Sequence, residues 1–102
     1  MRGRGLIEHM DQRVEKVVKV INPLGLHARA AAHLVKVTAR CRCEVTLECD
    51  GQEVNGKSIM GVLTLAAAQG SDVKIVCDGE GAAEALVQVV QLFDAGFYEM
   101  KP

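Results

Sequence analysis

The chain has 102 residues and a mass of 11.0 kDa, which is enough for one domain with one hydrophobic core. Hydrophobic residues make up 49% of it and charged residues 25%, a composition that excludes a disordered or fibrous protein. A net charge of -1 and an aromatic content of 3% disfavour nucleic-acid binding. No apolar run reaches the length of a membrane span, so we expect a globular domain that binds neither nucleic acid nor membrane.

We interpret residues 1–12 as a flexible N-terminal extension and residues 13–102 as the single domain. The first ten residues contain two Arg but lack the apolar stretch of a secretory signal, so we expect a cytoplasmic protein. The pair His9-Met10 is also compatible with a cloning remnant ahead of a natural start at Met10. In a reducing cytoplasm the four cysteines are expected to be free thiols, and we expect no metal site and no cofactor.

The first half of the chain begins with a strand and a helix. The β-branched stretch Glu15–Ile21 predicts a strand. Pro23 and Gly25 end it, because neither residue continues a central strand. Helix-forming residues from Ala28 to Ala39, with apolar positions at helical spacing, then predict an amphipathic helix.

A hairpin and a short helix follow. Alternating apolar and polar residues over Arg42–Cys49 predict a strand with one buried face. Asp50-Gly51 predicts a two-residue turn into a return strand, Gln52–Asn55. The apolar segment Ile59–Leu65 is predicted to be a helix that Ser58 caps.

The last elements are a strand over Asp72–Cys77 and a helix over Glu84–Phe93, which Gly96 is expected to terminate. Strands with one wet face need helices on the other face only. The sequence therefore predicts an α+β fold, an open-faced two-layer sandwich. Its four-stranded, mostly antiparallel sheet carries two long helices and one short helix on one face.

The residues that suggest chemistry lie where the first helix starts. His27 is expected at the N-cap, where the backbone N–H groups of Ala28, Arg29 and Ala30 are unpaired and can bind a phosphate. The positive end of the helix dipole should keep the imidazole neutral and nucleophilic, and Arg29 adds donors for phosphoryl oxygens. A His at this position can also be an ordinary polar cap. His33, inside the helix, is interpreted as a surface residue.

Two motifs carry a family resemblance. Gly25-Leu26-His27-Ala28-Arg29 resembles the active-site motif of the HPr phosphocarrier family of the bacterial phosphotransferase system. Asn55-Gly56-Lys57-Ser58-Ile59-Met60-Gly61-Val62 resembles the family's second signature, around its regulatory serine. The resemblance covers about residues 14–98, and the ending Leu92–Phe97 is similar to the nitrogen-related branch, NPr.

The resemblance implies a relay of a phosphoryl group by a carrier that is not a true catalyst. The Nδ1 atom of His27 would take the group from phosphorylated Enzyme I, itself charged by phosphoenolpyruvate, and pass it to an Enzyme IIA domain. Arg29 would match the family's active-site arginine. Ser58 would match the serine that HPr kinase/phosphorylase modifies. Ala30 departs from the family, which usually has Pro there.

The same resemblance implies a docking surface around the site. Ile59, Met60, Gly61 and Leu63 on the short helix are the candidates, with Met60 and Gly61 preferred because a two-layer fold cannot bury every face of so short a helix. Ile59 or Leu63 can instead belong to the core. A relay needs fast and weak docking, so we expect a small interface on a monomer.

Two other functions stay open. The chain can be an HPr-like regulatory protein that docks partners without relaying phosphate, an alternative that Ala30 supports. It can also be a small-molecule-binding regulatory domain of the ferredoxin-like type, although such a domain has no reason to place His and Arg at one helix start.

Overall fold

The computed structural model describes residues 12–99, which form four strands and three helices. In chain order these are β1 Arg13–Lys19, α1 Ala28–Thr38, β2 Glu44–Cys49, β3 Gln52–Asn55, α2 Ile59–Leu65, β4 Asp72–Asp78 and α3 Ala82–Asp94, and a 3-10 turn, Gly96–Tyr98, follows α3. Except for Gln12, the predicted N-terminal extension lies outside the described residues, and the division at residue 12 stays a prediction.

The four strands form one sheet in the order β1-β4-β2-β3, and every neighbouring pair is antiparallel. α3 packs on β1 and β4, α2 packs on β3 and β2, and α1 contacts both of these helices. The predicted open-faced α+β sandwich is confirmed, with a sheet that is antiparallel throughout.

The core lies between the sheet and the helices. Alternate residues of the central strands point into it, and Leu47, Val73 and Ile75 are completely buried. The cysteines are free thiols, as predicted, and burial raises the pKa of Cys77 to about 12. A thiol with so high a pKa is an inert packing residue.

The β2–β3 hairpin turns where predicted. Asp50 and Gly51 have φ angles of 54° and 82°, which is the geometry of a tight two-residue hairpin turn. Cys49 pairs directly with Gln52 across it. The bounds of β3 and α2 coincide with those predicted.

The long strands differ from prediction at their ends, because their partners set where pairing stops. β1 covers Arg13–Lys19 rather than Glu15–Ile21, since Arg13 faces Asp78 and Lys19 faces Asp72, the two ends of β4. β2 starts at Glu44 rather than Arg42, because Glu44 faces the last residue of β4.

α3 begins two residues before the predicted start. Its first residue, Ala82, donates its N–H to the Gln12 Oε1 atom over 3.2 Å, a cap supplied by a residue far away in sequence. The helix ends at Asp94, and Gly96 follows with a φ of 60°, as expected of a helix-stopping glycine. None of the helices within residues 12–99 is long and apolar enough to cross a membrane.

Candidate functional site

The loop after β1 delivers His27 to the start of α1. The Leu26 N–H donates to the Ala67 carbonyl over 2.9 Å, and the Leu26 side chain is buried. Gly25 has a φ of 66°, and a Cβ atom there would lie 2.5 Å from the same carbonyl oxygen. Only glycine suits this close approach, so the loop is held against the segment that follows α2.

His27 is the N-cap of α1, as predicted. Its Nδ1 atom accepts a hydrogen bond from the Arg29 N–H over 3.3 Å, and its carbonyl accepts one from the Ala31 N–H over 2.8 Å. The side chain is 29% exposed, so the ring is reachable from solvent. The lone pair of Nδ1 therefore lies at the positive end of the helix.

The other ring nitrogen faces a carboxylate. His27 Nε2 lies 2.9 Å from Oε1 and 2.8 Å from Oε2 of Glu99. Asn22, which is fully buried, donates from Nδ2 to Glu99 Oε1 over 3.0 Å and to the Gly25 carbonyl over 2.8 Å. Glu99 is thus held by the His27 ring and by Asn22 of the loop between β1 and α1.

Glu99 is charged in this arrangement. Burial raises the pKa of the Glu99 carboxyl, but hydrogen bonds from His27 and Asn22 and the nearby charge of Arg29 outweigh burial and leave the pKa below its ordinary value. A carboxylate can only accept hydrogen bonds, so Nε2 is the donor and carries a proton. The ring then has its free lone pair on Nδ1.

The predicted phosphate donors are placed unequally. Ala28 and Arg29 are exposed at the first turn of α1, whereas Ala30 is completely buried. The Ala30 N–H as a phosphate donor stays a prediction. The guanidinium of Arg29 makes no hydrogen bond or ion pair with other side chains of residues 12–99, which leaves it available to an anion.

An open cavity of about 760 Å³ lies beside the ring. It is lined by Pro23, Leu24, His27, Ala28, Arg29, His33, Phe97, Tyr98 and Glu99. Leu24 and Tyr98 are 72% and 73% exposed at this site, so its rim is apolar. His33, interpreted as a surface residue, is half-buried and its ring lies edge-on to Tyr98 at 6.3 Å.

The second sequence motif forms the end of β3, the loop after it and the first turn of α2. Ser58 caps this helix, as predicted, by accepting a hydrogen bond at Oγ from the Gly61 N–H over 3.0 Å. Ile59 and Met60 are exposed, while Gly61 is half-buried and Leu63 packs partly against the core. α2 contacts α1, the helix that His27 begins.

A family model described as "PTS HPr component phosphorylation site" matches residues 14–95. The chain belongs to the HPr family. This family comprises phosphocarrier proteins of the phosphotransferase system. The phosphocarrier protein HPr of Xylella fastidiosa is 44% identical over 86 residues, which cover 84% of this chain and 97% of that protein. The HPr of Treponema pallidum is 41% identical and covers 84% and 98%.

Solved HPr structures have the same fold. A crystal structure of HPr from Thermoanaerobacter tengcongensis matches with a TM-score of 0.83 and 35% identity, covering 86% of this chain and 99% of that one. HPr from Bacillus anthracis matches with a TM-score of 0.78 and 38% identity, covering 81% and 99%. Membership of the HPr family replaces the alternative of a ferredoxin-like domain.

The residues that surround the His27 ring from the other side in this HPr-family chain could not be predicted from its motifs. Asn22, Tyr98 and Glu99 lie outside the two motifs, and Glu99 is 72 positions from His27. The acidic residue after Gly96 gave no signal by itself, because its position depends on how the chain turns after α3.

Proposed function

We propose that this protein relays a phosphoryl group through His27. The observation that carries the proposal is the N-cap geometry: the Nδ1 lone pair of a partly exposed, Nε2-protonated imidazole lies at the N-terminus of α1. A phosphoryl group bound there meets the amides of Ala28 and Arg29 and the guanidinium of Arg29. Membership of the HPr family supports phosphorylated Enzyme I as the donor and an Enzyme IIA domain as the acceptor.

The backbone N–H of Arg29 has a different acceptor before and after the proposed transfer. In the resting site the Arg29 N–H donates to Nδ1 over a long 3.3 Å hydrogen bond. When Nδ1 attacks the donor phosphorus, its lone pair enters the new N–P bond while the bond from phosphorus to Enzyme I breaks. The Arg29 N–H then becomes free to donate to a phosphoryl oxygen. The positive end of α1 stabilises the charge on that oxygen.

The partner surface that we propose surrounds this site. Exposed Ile59 and Met60, with half-buried Gly61 and Leu63, supply apolar area on α2, and Leu24 and Tyr98 add to it at the cavity rim. Ser58 stands at the start of α2 and is the proposed regulatory phosphorylation site, for HPr kinase/phosphorylase. We place the relay in the cytoplasm and expect the carrier to act as a monomer.

The test is phosphorylation with phosphoenolpyruvate and Enzyme I, followed by intact mass measurement. The parent protein should gain one phosphoryl group that is acid-labile and base-stable, as a phosphoramidate is. His27→Ala should gain none. His27→Gln should also gain none, and it keeps a side-chain amide that can donate to Glu99, so a folding defect would not explain its loss.

His33→Ala is the matched control, because His33 lies on the same helix and lines the same cavity. It should be phosphorylated like the parent. Full phosphorylation of the His27 variants would show that another residue accepts the group. A parent protein that binds Enzyme I yet gains no mass would point to an HPr-like protein that docks without relaying phosphate.

A further inference from the structure

The segment after α3 has an unusual backbone. Gly96, Phe97 and Tyr98 have φ angles of 60°, 55° and 62°, and the last two lack the freedom of glycine. Phe97 is completely buried, with its ring edge-on to Phe93 at 4.8 Å. Burial of this side chain stabilises the left-handed turn, and strained backbone of this kind concentrates at functional sites.

The two residues after Phe97 have different environments. Tyr98 is 73% exposed, whereas the side chain of Glu99 is only 14% exposed and points at His27. Glu99 touches Nε2, the nitrogen that is not at the helix N-terminus, and buried Asn22 holds the carboxylate from the other side. The turn therefore places one carboxylate on one nitrogen of the ring.

We propose that Glu99 is a positioning residue for phosphoryl transfer: it fixes the Nε2–H tautomer of His27 and balances the positive charge of the phosphorylated ring. This inference rests on the proposed relay through His27. Two contacts define the tautomer, since Nδ1 accepts from a backbone N–H and Nε2 donates to a carboxylate. Without Glu99, only the long 3.3 Å hydrogen bond from the Arg29 N–H would favour this tautomer, so the preference should weaken.

The charge balance of the transfer explains why a carboxylate is useful on Nε2. The Nδ1 lone pair forms a bond to phosphorus while the bond between phosphorus and the donor group of Enzyme I breaks. Nε2 keeps its proton, so the phosphorylated ring is an imidazolium-like cation, and no base has to remove a proton. Onward transfer forms a bond from phosphorus to the acceptor group of an Enzyme IIA domain, breaks the N–P bond and returns the neutral ring. Glu99 stabilises the intermediate cation.

The groups around the carboxylate are the ring of His27 and the guanidinium of Arg29 from the first turn of α1, with Asn22 as a neutral donor. An opposite charge in direct contact changes an equilibrium by a factor of ten or more. Removing the charge of Glu99 should therefore lower the equilibrium constant for phosphoryl transfer from Enzyme I to this protein about tenfold.

Two variants separate the tautomer from the charge. Glu99→Gln keeps an oxygen that accepts from Nε2–H but loses the charge, and Glu99→Ala loses both. Nitrogen-15 chemical shifts of the His27 ring should show the Nε2–H tautomer in the parent, a weaker preference for it in Glu99→Gln and a mixture in Glu99→Ala. Both variants should show the tenfold shift in phosphorylation equilibrium. Glu53→Gln, an exposed carboxylate on β3, is the matched control and should behave as the parent does.

The proposal is overturned if both Glu99 variants keep the parent's tautomer and its phosphorylation equilibrium. It is also overturned if Glu53→Gln shifts the equilibrium equally, since the effect would then be one of overall charge. The tautomer measurement needs no phosphate and so tests Glu99 even if the parent gains no phosphoryl group. A parent protein that gains no phosphoryl group would count against the proposed function alone, and not against the role of Glu99 in fixing the tautomer.

Discussion

At the scale of single residues, the two nitrogens of His27 experience opposite electrostatic environments. Nδ1 faces the positive N-terminus of α1, and Nε2 faces the negative carboxylate of Glu99. The helix end disfavours a cationic ring, while the carboxylate favours it. The Nδ1 atom therefore lies where an incoming phosphoryl group meets backbone donors, and Nε2 lies where a carboxylate can balance positive charge on the ring.

Ala30 offers a test of where α1 begins. The first intrahelical hydrogen bond runs from the Ala31 N–H to the His27 carbonyl, so the Ala30 N–H has no partner inside the helix. Ala30→Pro removes no helical hydrogen bond and reduces the freedom of the unfolded chain. We expect denaturant unfolding to show a change of no more than ~1 kcal/mol in the free energy of unfolding. His27 should still accept phosphate from Enzyme I.

Ala32→Pro is the matched control, since Ala32 is exposed two residues further along the same helix. Its N–H belongs to the helical ladder, so this variant should lose about 3 kcal/mol. An equal loss in Ala30→Pro would mean that the buried surroundings of Ala30 have no room for the pyrrolidine ring, or that the helix starts earlier.

At the scale of elements, α2 depends on its first residue. The helix has only seven residues, and its C-cap, Ala66, is left-handed with a φ of 53°. So short a helix has little intrinsic stability. The hydrogen bond that the Gly61 N–H donates to Ser58 Oγ therefore contributes to the stability of the first turn of α2.

Variants of Ser58 separate capping from charge. Ser58→Ala removes the cap and should lower the free energy of unfolding by about 1 kcal/mol. Ser58→Asp keeps a capping oxygen and should leave the melting temperature nearly unchanged. Its negative charge beside exposed Ile59 and Met60 should nevertheless slow phosphoryl arrival at His27, measured with phosphorylated Enzyme I. If Ser58→Asp and Ser58→Ala receive phosphate equally fast, the start of α2 lies outside the docking surface.

Elements whose limits are set by neighbours in sequence could be predicted. The cap at Ser58, the turn at Asp50-Gly51 and the cap at His27 all depend on contacts within three residues. The start of α3 could not be predicted, because Gln12 caps it from the other end of the domain. Contact between residues distant in sequence also explains why the role of Glu99 could not be predicted. Glu99 contacts His27 because of a left-handed turn that buried Phe97 stabilises.

At the scale of the whole molecule, Glu99 joins the end of the described chain to its first loop. Its hydrogen bond from Asn22 spans 77 positions of sequence, and Asn22 also holds the Gly25 carbonyl. The segment after α3 is thereby tied to the loop that positions His27. Contacts at the site therefore contribute to the stability of the fold as well as to its chemistry.

This contribution should depend on pH in a defined direction. The folded protein holds the pKa of Glu99 below its ordinary value of 4.5, so the unfolded chain binds a proton more readily. The stabilisation is fully present above pH 4.5 and is lost as the pH falls through the pKa of the folded state. At pH 7, Glu99→Gln should be less stable than the parent by about 1.5 kcal/mol or more, as expected for hydrogen bonds to a charged group. Urea unfolding of both proteins between pH 7 and pH 3 checks this: the difference should shrink on acidification. A difference that stays constant would mean that the carboxylate charge contributes nothing to the fold.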